Sequence, residues 1–138
     1  MPTLQKSPSF AKALLNGVHK FASDTFKAAL TNTLPAASAT VLADIVQVSG
    51  GAYPAGGYVL KGVSLTDAAG VAKVVIADEV ITATGGTVGG LRYAVAYNDT
   101  AAGKPLVGYI DYGSSITLAD GETLTLDFDA DTGVLTLT

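Results

Sequence analysis

Few residues in this chain have the types and spacing that chemistry needs. The most suggestive set is Asp127, Asp129 and Asp131 followed by Gly133, because alternate carboxylates in a tight turn can converge on one hard cation. The spacing fails in detail. An EF-hand loop needs glycine at its sixth position, here Thr132, and a bidentate glutamate at its twelfth, here Thr138. Asp127 and Asp129 therefore read as outward strand positions, with Asp131 to Gly133 forming a turn. His19 is the sole histidine and cysteine is absent, so zinc sites and imidazole-assisted nucleophiles lack their usual partners. With Asp24 nearby, His19 reads as a surface or helix-end residue. The glycines Gly85, Gly86, Gly89 and Gly90 lie between two strand-like runs with no helix behind them, which predicts tight turns rather than a phosphate cradle. Asp78 and Glu79 sit at a strand turn, where solvated charge is the ordinary state. The tyrosines combine apolar rings with polar tips, which suits sugar binding; Tyr53, Tyr58, Tyr109 and Tyr112 are the candidates, while Tyr93 and Tyr97 fall on an expected core face. No catalytic, cofactor or metal-binding residue is assigned, and the chain is expected not to be an enzyme.

The elements that would position such residues are mostly strands. Phe10, Leu14, Val18 and Phe21 recur at helical spacing, predicting a short helix near 9 to 19 with Ser9 as its cap and Gly17 weakening its middle. From Ser23 the period becomes two, with Phe26, Ala28 and Leu30 on one face. The stretch from Leu34 to Tyr58 reads as a long surface loop, in which Thr40 caps a single helical turn at VLAD. Beyond Tyr58 the text alternates through 58–65, 72–76, 80–84, 91–97, 106–111, 115–118, 123–128 and 134–137, with turn signals between nearly every pair. Leu91, Tyr93, Val95 and Tyr97 share an expected inward face and alternate with Arg92, Ala94 and Ala96, so both faces could be covered and that strand should be central. Leu124, Leu126 and Phe128, answered by Leu135 and Leu137 across DADTG, predict a terminal hairpin. The expected architecture is all-β: an antiparallel sandwich, jelly-roll-like, or a loose barrel of about eight strands with a short N-terminal helix. Residues 1–22 are expected to be an arm carrying that helix, and 23–138 the β-sandwich domain.

Charged residues make up 14% of the 138 residues, well under the usual quarter, with 49% hydrophobic and a formal net charge of -4. They are also segregated. Lys6, Lys12, Lys20 and Lys27 face only Asp24 in the first quarter, and nothing basic follows Lys104. A single arginine and an acidic balance argue against nucleic acid, and no apolar run is long enough for a membrane helix. The start MPTLQKSPSF has no apolar stretch behind its lysine, so no secretory signal is expected. A surface of Thr, Ala, Gly and Ser suits coverage by a partner.

The runs FKAALTN, RYAVAYNDT and IDYGSSITLADGETLTLDF, within Ser23 to Leu137, resemble a family of small virion structural proteins of tailed bacteriophages. The resemblance implies a β-rich module on the capsid exterior, commonly trimeric, that decorates the head and cements neighbouring capsomers. The major capsid protein would be its partner, and synthesis would occur in the host cytoplasm. It implies no cofactor and transfers no site residue. Within that expectation the arm would lie across the capsid, with Lys6, Phe10, Lys12 and Lys20 as the contact residues. A tail, fibre or baseplate protein binding host glycan through the tyrosines is the alternative. Loops 47–58 and 99–105 are expected as exposed tips.

Overall fold

The structure is a computed structural model and describes residues 4–128 and 133–137. Along the described chain run β1 (Leu4–Lys6), α1 (Phe10–Leu15), β2 (Phe26–Thr31), β3 (Tyr58–Val59), β4 (Ser64–Ala68), β5 (Val71–Val75), β6 (Glu79–Thr82), β7 (Val88–Asn98), β8 (Leu106–Leu118), β9 (Thr123–Leu126) and β10 (Leu135–Leu137). A five-stranded sheet takes the order β1-β8-β7-β2-β3, and two smaller sheets take the orders β10-β5-β4 and β6-β9. Every pairing between these strands is antiparallel. The fold is all-β and sandwich-like, and not a closed barrel.

The large sheet is covered on both faces. On one, Phe26, Ala28 and Leu30 of β2, with Ala94 and Ala96 of β7, meet Val74, Ile81, Leu126 and Leu135 from the two smaller sheets. This is the main core, and each fully buried large side chain in it contributes about 1.5–3 kcal/mol. On the other face, Ala29, Val95, Tyr97 and Leu106 are covered by Ala39 and Ile45 from the irregular stretch after β2. That stretch does hold one helical turn, Leu42–Asp44, but the cap comes from the Asp44 carboxylate, which accepts the Thr40 and Val41 amides at 3.0 and 3.3 Å, not from the Thr40 hydroxyl.

β7 is central, as its alternation predicts, yet its faces are not those expected. Leu91 lies in the main core with Ala94 and Ala96, whereas Val95 and Tyr97 face the second cluster. The pairing with β8 shifts register between Leu91 and Tyr93, where Arg92 alone stands against Tyr112 to Ser115, and the side chains on either side of this irregularity fall out of phase. The expected turn at Tyr112 to Ser115 is likewise an irregularity inside one long strand, β8: Tyr93 faces Asp111 while Leu91 faces Ile116. Among the described residues β9 and β10 do not pair with each other, so the expected terminal hairpin does not form. β9 pairs with β6 and β10 with β5, because the buried Leu126 and Leu135 each complete a different small sheet.

The first 22 residues, expected as an arm, are seated on the sheet where described. Leu4 to Lys6 pair with Ile110 to Gly108 of β8, and Phe10 and Phe21 are buried in the main core. Two phenylalanines supply the apolar surface that holds the segment down. The helix is shorter than its pattern. Gly17, at φ 74°, receives the backbone beyond Asn16, and the Gly17 and Val18 amides bond back to Leu14 and Ala13 at 3.0 Å. That is a Schellman stop, so Gly17 ends the helix instead of weakening its middle. Loop 47–58 is also held down: Gln47 accepts hydrogen bonds from the Tyr53 hydroxyl and the Gly56 amide, and Gly51 and Gly57 are buried.

Candidate functional site

Between α1 and the three-stranded sheet lies an open, apolar groove of about 530 Å³. Its two walls follow from local pattern. On the sheet side, Leu65, Val74 and Leu135 sit opposite one another across β4, β5 and β10, forming one apolar row. On the helix side, Leu14 lies one turn beyond the buried Phe10, and Leu15 projects beside it at 85% exposure. Leu65 is itself 50% exposed. Phe10 and Val74 line the groove as members of the same buried core, whereas Leu15 and Leu65 line it without a covering layer.

The Schellman stop turns the chain so that His19 joins the groove lining at 5% exposure. Its ring stacks on Phe10 at 5.3 Å between centroids and on Phe21 at 6.1 Å. Asn98, fully buried at the end of β7, fixes its tautomer. The Asn98 side-chain oxygen accepts the Thr100 and Ala101 amides at 3.0 and 3.1 Å, which orients its amide nitrogen toward Asp24 at 2.8 Å and His19 Nδ1 at 3.3 Å. An amide nitrogen donates and does not accept, so Nδ1 accepts and the neutral ring carries its proton on Nε2. Nε2 is buried and has no hydrogen-bond partner among the described residues. Burial lowers the His19 pKa from 6.5, with the Asp24 carboxylate pulling more weakly the other way, which favours the neutral ring.

Lys6, from β1, and Lys20, just after His19, also line the groove, and neither forms an ion pair among the described residues. Of the four residues expected as capsid contacts, Lys6, Phe10 and Lys20 thus meet at one place. Phe10 serves it from within the core, while Lys12 is exposed on α1 outside the lining. The groove itself was not foreseen: nothing in the local spacing of Leu15 or Leu65 marks them as members of one surface, since they come together only when β4 is placed opposite α1.

The other candidates are occupied structurally. The Tyr53 hydroxyl donates to Gln47 at 2.7 Å and accepts the Leu30 amide at 3.1 Å, and burial pushes its pKa up to about 12. The Tyr58 and Tyr112 hydroxyls are buried, and Tyr109 packs edge-on against Tyr93 at 5.9 Å, so the four tyrosines form no open platform. Asp78 accepts the Phe128 amide at 2.7 Å, and Glu79 lies 3.9 Å from Lys61. Gly85 donates to Asp120 at 2.9 Å within the turn before β7, with no helix following. Asp127 is exposed; Asp129 and Asp131 lie outside the described residues. Among the described residues no three His, Asp or Glu side chains are placed to hold a metal ion, and no helix is long and apolar enough to cross a membrane. No family model, curated protein or solved structure matches the chain.

Proposed function

We propose that this protein is a capsid decoration protein of a tailed bacteriophage, binding the outer surface of the head and strengthening contacts between capsomers. The observation that carries the reading is the open apolar groove beside α1, rimmed by lysines, on a module otherwise poor in surface charge. Such a surface supports docking rather than chemistry, since it offers apolar area and two ammonium groups that form no ion pair among the described residues. The wording shared with small phage virion proteins supports the same role. Its partner is the major capsid protein, and its working form a trimer, in which three weak attachments reinforce one another through effective concentration. The α1 face meets the shell, and Lys12 adds positive charge at its margin.

The test is to add purified protein to heads that lack it, pellet the heads, and reconstruct the particles. Density repeated over the shell at hundreds of copies supports the reading; failure to bind, or a handful of copies at the tail, overturns it in favour of a tail or baseplate component.

A further inference from the structure

We infer that the groove between α1 and the β10-β5-β4 sheet receives a segment of a partner protein that presents large apolar side chains together with a carboxylate. The inference rests on the decoration reading for the identity of that partner, and on the groove alone for its chemistry. Two sets of residues converge. The walls, Leu14 and Leu15 against Leu65, Val74 and Leu135, ask for apolar side chains. A volume of about 530 Å³ falls within the roughly 300–1,000 Å³ of pre-formed binding sites. Lys6 and Lys20, in the same lining and without an ion pair among the described residues, ask for a carboxylate beside them.

Other occupants fit less well. A lipid surface is engaged by a protruding apolar face backed by clusters of about four to eight basic residues. Here the apolar surface is recessed, two lysines line it, and the chain is acidic overall. A second copy docked groove to groove would place Lys6 and Lys20 against their own equivalents, because a two-fold contact matches a patch with itself. A partner segment with apolar anchors one helical turn apart and an acidic residue between them satisfies both demands.

The experiment titrates the full chain, followed by amide NMR, with a synthetic peptide of roughly twelve residues carrying two leucines four positions apart and a central glutamate, and with its lysine-for-glutamate counterpart. The acidic peptide should shift amides of α1, β4 and β5 and bind at least about tenfold tighter than the basic one. The paired exposed substitutions Lys6→Glu and Lys20→Glu should reverse that order. Leu15→Asp, at a solvent-facing position that the fold does not use, should weaken both. Equal affinity for the two peptides, shifts confined to another face, binding to anionic vesicles with the same lysine dependence, or self-association that excludes the peptide would each overturn the inference. If the peptides behave as stated but heads are not bound, the decoration reading fails alone. If heads are bound equally by the Lys6→Glu/Lys20→Glu protein, the groove inference fails alone.

Discussion

At the residue scale, Asn98 and His19 matter most, and both act by burial. Asn98 ties the end of β7 to Asp24, His19 and the turn at Thr100 and Ala101 through one side chain. Asn98→Ala leaves His19 Nδ1 unpaired in the interior and releases Asp24 and the Thr100 and Ala101 amides nearer the surface, and should cost about 1–3 kcal/mol, read from the midpoint of urea unfolding at constant slope. His19 gives the stability a pH dependence of known sign. Its pKa is lowered in the folded protein, so the unfolded chain binds more protons below 6.5. The associated stability is fully present above 6.5 and lost as pH falls through the window beneath it. The melting temperature should therefore drop between pH 7 and pH 5, and His19→Phe should flatten that drop. A second, separate loss belongs to Asp99 and Asp111, whose carboxyls are held below 3.8, first of all by Lys104 and Arg92 respectively. Their contribution persists above 3.8 and fades only as pH falls below it, so the two windows are resolvable in one series of melts.

At the element scale, the first 22 residues are the part whose role differs most from expectation. β1 closes the edge of β8, and the approach is tight: a Cβ on Gly108 would sit 2.3 Å from the Gln5 carbonyl oxygen. Gly108 has no positive φ, so the constraint is close approach rather than backbone freedom. Gly108→Ala should thus detach β1 while leaving β7 paired with β2. Faster amide exchange at residues 4–7 and in the outer half of β8, with β2 still protected, is the expected result. Removing residues 1–20 should do more, because it strips Phe10 from the core and unpairs β8. A fall in melting temperature of many degrees, rather than a neutral truncation, is expected, so that deletion cannot serve as a clean test of attachment. Point substitutions on the exposed face can.

At the scale of the whole molecule, the core and the groove share residues: Phe10, Phe21, Val74 and Leu135 are buried core members that also line the groove, while Leu15 and Leu65 line it from exposed positions. Leu15→Asp should accordingly leave the urea midpoint within about 0.5 kcal/mol of the unaltered protein. Its occupancy on heads, measured by co-sedimentation at equal protein concentration, should fall severalfold, and more steeply in a trimer than in a monomer because each lost contact is counted three times. Matched loss of stability and occupancy would instead place Leu15 in the fold.

The sequence alone determined the all-β class and the inward face of β2, because strand period is local: Phe26, Ala28 and Leu30 face the core as their alternation demands, and β7 is central because it is apolar on both faces. It determined the thin, segregated charge; of Lys6, Phe10, Lys12 and Lys20, which it offered as contact residues, all but Lys12 line the groove. The tertiary structure decided everything that depends on partners far apart in the chain. The irregularity between β7 and β8 that leaves Leu91 and Val95 on opposite faces is set by the register of the two strands, and the separation of β9 from β10 by sheets that their leucines complete elsewhere. The groove is the extreme case. Leu15, Leu65 and Leu135 lie more than a hundred residues apart from first to last, and an apolar surface becomes a site only when the fold sets its pieces together and leaves them uncovered.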